Sequence, residues 1–228
     1  MNIKNLILIV YFISSLLSGC GGGGGGEAPA AKTETPPPAG NYDLNDYIFH
    51  QDLRSTGGLI SYPVSSYIKS DGSLAVSYND RFERTTADTI VWQSSGSPAS
   101  TFVITPSTID ETVHSAMDAL RASQRFVDVG TKYMDATASL PPIGDQNARC
   151  TVLQHHDSID LSTMTGSFSL ASGIYNDVLE VNCITSFVVE GQLGEHTNLR
   201  HYFAKNVGVV FTEGNMLFFG EVYIIPKI

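Results

Sequence analysis

The chain has 228 residues, of which 42% are hydrophobic and 16% are charged, and its formal net charge at pH 7 is −10. Proteins that bind nucleic acids or anionic lipid surfaces through a basic patch need clustered Lys and Arg, so this charge argues against both classes. The length suits one β-rich domain or two small ones.

The first twenty residues resemble an export signal that ends in a lipidation site. Lys4 precedes an apolar run of 12 residues at positions 6–17, which suits a signal peptide and is shorter than the roughly 20 residues of a transmembrane helix. The run ends in Leu17-Ser18-Gly19-Cys20, which resembles the lipobox of bacterial lipoproteins. The resemblance implies cleavage before Cys20 and acylation of this cysteine, for example with palmitate. A cysteine that follows an export signal by chance is the alternative.

The residues after Cys20 are predicted to form a tether. Glycines occupy positions 21–26 and prolines occupy positions 36–38, a composition that cannot build a packed core. We therefore divide the chain into a signal peptide (1–19), a lipidated cysteine with a disordered Gly/Pro-rich tether (20–41) and a β-rich globular domain (42–228). Gram-negative lipoproteins retained at the inner membrane commonly carry Asp directly after the acylated cysteine. The resemblance therefore implies the outer membrane, because Gly21 occupies that position.

From position 41 onward, β-branched and aromatic residues separated by short turns predict antiparallel β structure. Residues 60–64 alternate between apolar and polar, and we place this strand on a sheet edge because Pro63 lacks a backbone N–H. Asp71 and Gly72 have the chemistry of a turn. Further strands are predicted in this half at residues 74–78, 89–93, 101–105 and 126–134.

Residues 108–125 are the exception, because their spacing predicts a short helix of about three turns. Thr108 and Glu111 have the spacing of a capping box, and Val113, Met117 and Leu120 recur at helical intervals. The alternative is a loop excursion between strands.

The second half is more regular and predicts strands at residues 149–155, 178–189, 199–204, 207–211 and 216–225. Residues 212–215 are predicted to be a hairpin turn. The long strand places its apolar residues on one face and its polar residues on the other, as a half-buried antiparallel strand does; the apolar set is Leu179, Val181, Cys183, Phe187 and Val189. The predicted fold is therefore mainly β, a single curved antiparallel sheet or half-barrel with one short helix.

The three cysteines divide between two roles. If Cys20 carries lipid, Cys150 and Cys183 remain as a pair in an exported body, where an oxidising compartment favours a disulfide. Cys183 lies on the apolar face, and Cys150 shares a strand face with Val152. A metal pair and two free thiols are the alternatives, although neither cysteine has zinc-ligand spacing.

No motif for catalysis or cofactor binding occurs in the sequence, so we expect no catalytic residues, no cofactor and no metal. His155 and His156 form the only local cluster of histidines, and neighbours on a strand point to opposite faces. The remaining histidines are His50, His114, His196 and His201. A Ser-His-Asp triad assembled from distant loops stays open.

Residues 201–210, HYFAKNVGVV, resemble a segment in the C-terminal sheet of poorly characterised exported bacterial lipoproteins. The resemblance implies a strand, a bend and a second strand at the end of a curved sheet, in some relatives like the half-barrel of lipoprotein carriers of the LolA type. Asn206 tolerates a left-handed backbone, and Gly208 suits a bulge or a close approach.

These features predict an outer-membrane lipoprotein with a non-enzymatic binding, structural or interaction role in the cell envelope. Its partners are the membrane, through the acyl anchor, and an envelope protein or a hydrophobic ligand, but not nucleic acid. A carrier or sensor of a lipid-like ligand is the first alternative, with Trp92 and several Phe side chains lining open space. A hydrolase with a non-local Ser/His/Asp site is the second. Core packing is expected for Phe102, Phe187, Phe211 and Phe219.

Overall fold

The computed structural model describes residues 41–114, 119–140, 144–189, 192–216 and 219–228. Cys20, the predicted signal peptide and nearly all of the predicted tether lie outside this range. Among the described residues, no helix combines the length and the apolar character needed to span a membrane.

Short helices and many strands make up the described chain. In order they are β1 (Tyr42–Asp43), α1 (Leu44–Ile48), a 3-10 helix (Gln51–Arg54), β2 (Leu59–Ile68), β3 (Leu74–Arg84), β4 (Thr89–Ser94), β5 (Ser97–Ile104), β6 (Thr108–Val113), β7 (Ala119–Gln124), β8 (Phe126–Val127), β9 (Lys132–Leu140), β10 (Gly144–Asp160), α2 (Leu161–Met164), β11 (Ile174–Val189), β12 (Gln192–Ala204), β13 (Gly208–Met216) and β14 (Gly220–Pro226).

Twelve of the strands form one antiparallel sheet in the order β7-β6-β5-β4-β3-β2-β14-β13-β12-β11-β10-β9. Its two edge strands, β7 and β9, approach one another across a seam, so the sheet is nearly closed and barrel-like. β1 pairs separately with β8. The predicted fold class, a mainly β protein with a curved antiparallel sheet, is confirmed.

The main core lies inside this barrel, because the side chain of every second residue on a strand points inward. On β11, Leu179, Val181 and Cys183 are 0–1% exposed and pack with Val152 and Phe203 from the neighbouring strands. The alternation predicted for β11 is therefore present at these positions. The side chains of Phe187 and Val189 lie outside the described part of the structure.

A second apolar layer covers part of the outer face, which differs from the prediction of one dry and one wet face. Val178 is 0% exposed although it points away from the interior. It packs in an outer cluster with Tyr202 and Phe211 from β12 and β13, and with Leu161 and Ala171 from the segment that follows β10. Both faces of β11 are therefore buried where this segment crosses the sheet.

Residues 44–53, which we call the N-terminal plug, cover one end of the barrel. Asp43 caps α1 by accepting a hydrogen bond from the Asn45 backbone N–H at 3.0 Å. The apolar side chains of the plug are buried in the interior cluster; they are Leu44, Tyr47, Ile48, Phe49 and Leu53. The first residues of the folded body are thus part of its core.

The predicted helix at residues 108–125 is wrong, and so is the loop alternative, because β6 and β7 form an antiparallel pair there. Ile109, Glu111 and Val113 are 0–1% exposed and alternate with outward residues as in a strand. Glu111 and Arg121 both point inward, with 3.8 Å between Arg121 Nη1 and Glu111 Oε2. Charged residues at inward positions conceal the period-two pattern from a reading based on hydrophobicity.

The predicted edge position of the strand at residues 60–64 is wrong, because β2 lies between β3 and β14. The pairing of β2 with β14 ends at Val64, opposite Pro226, and the next residue, Pro63, accepts a hydrogen bond from the Lys227 backbone N–H at 2.9 Å. In an antiparallel strand the N–H and C=O of one residue point to the same side. The N–H that Pro63 lacks would therefore face the position where β14 has just ended.

The predicted turn at residues 212–215 is also misplaced, because β13 continues through them to Met216, which pairs with Gly220. Gly214 lies opposite Leu199 in the sheet. A Cβ atom on Gly214 would lie 2.1 Å from the Asn198 backbone oxygen. The glycine therefore permits a close approach of two strands. The turn predicted at Asp71 and Gly72 is confirmed, since Gly72 has a φ of +70° and Asp71 accepts from the Ser73 N–H at 2.9 Å.

Candidate functional site

The structure joins Cys150 and Cys183 by a disulfide bond. The two residues face one another directly on β10 and β11, and their Cα atoms are 4.2 Å apart. Both are 0–1% exposed, so the bond belongs to the barrel interior. Cys20 lies outside the described residues.

His155 and His156 point to opposite faces of β10, as predicted. His155 Nε2 lies 2.9 Å from Asp177 Oδ1, at the end of the barrel that holds the plug. His156 Nε2 lies 2.7 Å from Glu180 Oε2 on the outer face, where its ring is next to that of Tyr202. Within the described ranges, no group of three His, Cys, Asp or Glu side chains is placed to hold a metal ion.

The histidines that contact a carboxylate are different from the histidine that contacts a hydroxyl. His155 and His156 contact carboxylates, whereas His201 Nδ1 lies 2.9 Å from the Thr212 hydroxyl. A Ser-His-Asp site needs both kinds of contact on one ring. That arrangement is not assembled around His155, His156 or His201. The side chain of His196 lies outside the described part of the chain.

The segment at residues 201–210 contacts the N-terminal plug. It contains the end of β12, a turn and the start of β13, as the resemblance implied, and Asn206 and Gly208 have φ values of +67° and +97°. The Asn206 backbone N–H donates to the Asp46 carbonyl at 2.6 Å. A Cβ atom on Gly208 would lie 3.2 Å from the Ile48 carbonyl oxygen. The left-handed and close-approach backbone predicted for these two residues is therefore confirmed.

The residues next to the predicted tether are bonded to the body by side chains and backbone. Asn41 donates from its side-chain amide to Asp128 Oδ1 at 2.7 Å. Arg125 binds both oxygens of the Asp43 carboxylate, at 2.7–3.0 Å, a bidentate geometry that gives strong charge-assisted hydrogen bonds. The Leu44 N–H donates to the Arg125 carbonyl at 2.8 Å. The chain is thus held in place from the first described residue.

Asp177 is the centre of a polar cluster beside this junction, which we call the tether-end cluster: Tyr47, His155, Asp177 and Lys205. The Tyr47 hydroxyl donates to Asp177 Oδ1 at 2.5 Å, and Lys205 Nζ lies 3.1 Å from Asp177 Oδ2. The cluster lines an open depression of about 420 Å³. Tyr42 stacks on the His155 ring with 5.0 Å between the ring centroids.

The electrostatics of the cluster favour fixed charges over proton transfer. Burial alone would raise the pKa of Asp177, but hydrogen bonds from Tyr47, His155 and Lys205 outweigh burial and hold this pKa below its usual range. Burial and the hydrogen bond to Asp177 raise the pKa of Tyr47. General acids and bases work best with a pKa near the operating pH. At neutral pH, Asp177 is therefore an ionised acceptor and Tyr47 a neutral donor, and together they hold the plug against β10 and β11.

Sequence reasoning identified His155 but missed Tyr47 and Asp177. One signal was available, because Asp177 follows Asn176 immediately before the apolar run of β11, and Asn and Asp tolerate a left-handed backbone. Asp177 has a φ of +54°. Lys205 lies inside the 201–210 segment, but nothing in that segment points to Asp177 as its partner.

The aromatic side chains predicted to be core residues are largely buried. Phe102 and Phe211 are 0–1% exposed, Phe219 is half-buried, and the Phe187 side chain lies outside the described range. Trp92 stacks on Phe82 with 5.6 Å between ring centroids, and Phe82 lies 6.1 Å from Tyr62. These rings touch each other, and the interior cavity next to them measures about 60 Å³. Ligand pockets typically measure roughly 300–1,000 Å³, so this cavity is too small for a lipid.

No family model matches the sequence, and no curated protein matches it. Two solved structures are similar to the chain. One, from Bacteroides fragilis, is described as an exported protein with a YmcC-like fold; it has 9% sequence identity and a TM-score of 0.47, and the alignment covers 80% of this chain and 100% of that one. The other, described as a lipoprotein from Parabacteroides distasonis, has 10% identity and a TM-score of 0.47 over 79% of this chain and 97% of that one. Neither similarity assigns a function to this chain.

Proposed function

We propose that the chain is an outer-membrane lipoprotein, anchored through acylated Cys20, with a non-enzymatic binding or structural role in the cell envelope. The proposed partners are the membrane and an envelope protein. The anchor part of the proposal rests on Leu17-Ser18-Gly19-Cys20 after an apolar run. Each buried methylene contributes about 0.8 kcal/mol, so two or more acyl chains hold a protein firmly where one does not.

The observation that carries the proposal is the way in which the N-terminal residues enter the folded body. A tethered protein transmits any pull between partner and membrane through the residues next to its tether. In this chain those residues are bonded by Asn41–Asp128 and Arg125–Asp43, and the plug that follows is buried in the core. A body attached in this way resists being pulled open at its N-terminus.

The tether-end cluster supports a binding or structural role over a catalytic one. Its carboxylate has three hydrogen-bond donors, and its pKa lies below the usual range, so the group is not poised to exchange protons near pH 7. The open depression exposes Tyr42, Asp157, Asn176 and Lys205. These groups offer donors, acceptors and a ring to a partner that approaches the tethered end of the barrel.

The anchor is tested by labelling cells that express the full-length chain with radioactive palmitate. We expect label in the wild-type protein and recovery in the outer-membrane fraction of a density gradient. Replacing the thiol removes the acylation site, so Cys20→Ser should lose the label and should no longer be recovered in the outer-membrane fraction. The tether substitution Gly23→Ser, which keeps Cys20, serves as the matched control. A Cys20→Ser protein that still takes up palmitate or is still recovered in the outer-membrane fraction would refute the anchor.

A further inference from the structure

A second polar site lies in the barrel interior, away from the tether-end cluster. The cavity of about 60 Å³ lies between β2, β3 and β4 on one side and β12, β13 and β14 on the other. Three aromatic rings form part of its wall, with Trp92 and Phe82 stacked in parallel and Tyr62 next to Phe82. The site is independent of the proposed anchor.

Four polar side-chain atoms at this cavity lack a hydrogen bond of good geometry to a described residue. They are the acceptors Ser66 Oγ, Asp80 Oδ1 and His201 Nε2 and the donor Trp92 Nε1, and the four residues are at most 7% exposed. Native proteins leave few buried polar atoms without a partner, because each one costs about 1–3 kcal/mol. Atoms of this kind at a cavity are sites where an ordered water or a ligand binds.

The charge of the cavity identifies the class of this ligand. Burial raises the pKa of Asp80 to about 6, so its carboxylate is ionised at neutral pH. Burial lowers the pKa of His201 to about 4, so its ring is neutral. Asp80 forms no ion pair with a described Lys or Arg, and its neighbour Arg81 pairs instead with Glu83, at 2.7 Å. Hydrogen bonds from the Ser94 and Trp92 side chains counteract part of this rise in pKa, but no described cationic side chain pairs with the Asp80 carboxylate.

We propose that this cavity binds a small organic cation, a protonated primary amine, with Asp80 as its counter-ion and Tyr62, Phe82 and Trp92 packed around it. Aromatic rings attract ammonium groups through their negative faces, and the attraction is larger where water is excluded. His201 Nε2 is an acceptor when Nδ1 donates to Thr212, since a neutral imidazole has one donor and one acceptor.

The volume limits the size of the amine. A water molecule needs roughly 10–15 Å³ of cavity volume. The cavity of about 60 Å³ therefore accommodates about four to six non-hydrogen atoms. A butylammonium ion meets this limit and carries one charge. Butan-1-ol has the same number of non-hydrogen atoms but no charge, so this pair of probes separates recognition of the charge from filling of an apolar space.

The chain contains a single tryptophan, and it lies at this cavity, so its fluorescence reports binding directly. We would titrate full-length protein, purified in detergent in phosphate buffer at pH 7.5, with butylammonium chloride, butan-1-ol and potassium chloride. We expect a saturable change with butylammonium and at least tenfold weaker binding of butan-1-ol. No saturable change, equal binding of the alcohol, or an equal response to potassium chloride would overturn the proposal.

Two variants test whether butylammonium binds to the Asp80 carboxylate. Asp80→Asn keeps the shape of the side chain and removes its charge, so butylammonium should bind at least tenfold more weakly. Glu83→Gln removes a charge from the same strand but outside the cavity, and it should bind as the wild type does. Equal affinities of the Asp80→Asn variant and the wild type contradict the proposal. If Asp80→Asn does not fold, the comparison of the three probes on the wild-type protein still decides.

Discussion

Asp80 and His201 both lie in the interior of the barrel, and burial shifts their pKa values in opposite directions. The pKa of Asp80 rises from 3.8 to about 6, and the pKa of His201 falls from 6.5 to about 4. Each shift of about two units corresponds to roughly 3 kcal/mol of folding free energy. Tyr62 faces Asp80, and burial holds its own pKa well above the usual value, so it stays neutral over this range.

The two groups affect the pH dependence of stability with opposite signs. Between pH 6 and pH 4, folded Asp80 binds a proton that the unfolded chain still lacks, so acidification through this window stabilises the fold. Between pH 6.5 and pH 4, unfolded His201 binds a proton that the folded protein excludes, so acidification destabilises it. The wild-type contributions therefore nearly cancel between pH 6 and pH 4.

Single substitutions should separate the two opposing contributions to the free energy of unfolding. In Asp80→Asn only the His201 contribution remains, so the free energy of unfolding should fall by up to about 3 kcal/mol as the pH drops from 6.5 to 4. In His201→Gln only the Asp80 contribution remains, so the free energy should rise over the same interval. Urea unfolding at several pH values measures both slopes. Parallel pH profiles for the two variants would contradict these assignments.

At the scale of elements, the contact between the β12–β13 turn and the plug depends on Gly208. Its φ of +97° lies in the left-handed region, and an added Cβ would meet the Ile48 carbonyl at 3.2 Å. Gly96, in the turn between β4 and β5, has a φ of +80°, but an added Cβ there has nothing within 4 Å. Both glycines thus need a left-handed backbone, but only Gly208 lies against the plug.

This difference gives a matched pair of variants. Gly96→Ala should lose on the order of 1–3 kcal/mol of unfolding free energy, the cost of a left-handed backbone for a residue with a Cβ. Gly208→Ala should lose about 1 kcal/mol more, because the plug must also shift. Urea unfolding of both proteins is the measurement. Equal losses would show that the turn does not press on the plug.

The elements at residues 108–125 show where a reading of the sequence fails. Thr108 and Glu111 have the spacing of a helix cap, but Glu111 is 0% exposed inside a sheet, and Arg121 on the neighbouring strand is 1% exposed. A buried ionised side chain needs a partner at close range. That partner lies on another strand, so local spacing gave no sign that these charged residues point inward.

For the whole molecule, the Cys150–Cys183 disulfide restricts the unfolded chain. The bond joins residues 33 apart in sequence, and a loop of this size corresponds to about 4 kcal/mol in the chain-entropy model. We expect the double variant Cys150→Ala/Cys183→Ala to lose about this much unfolding free energy. Wild-type protein under reducing conditions is the control and should show a similar loss. A double variant as stable as the oxidised wild type would contradict the prediction.

The fold class, the pairing of Cys150 with Cys183 and the backbone conformation of Asn206 and Gly208 could all be predicted from local sequence patterns. These features follow from side-chain alternation, from the parity of the cysteines and from what a residue's own φ allows. The tether and the acyl anchor stay predictions from the sequence, since Cys20 lies outside the described residues.

Three arrangements became visible only in the folded chain: the strand that carries Pro63 is internal to the sheet, Glu111 faces inward, and Asp177 joins Tyr47 to Lys205. Folding also brought Ser66, Asp80 and His201 to one cavity. Each of these arrangements depends on which distant strands become neighbours when the sheet curves and nearly closes. The energy of a buried charge or a missing N–H depends on the atoms opposite it, and the local sequence does not specify those atoms.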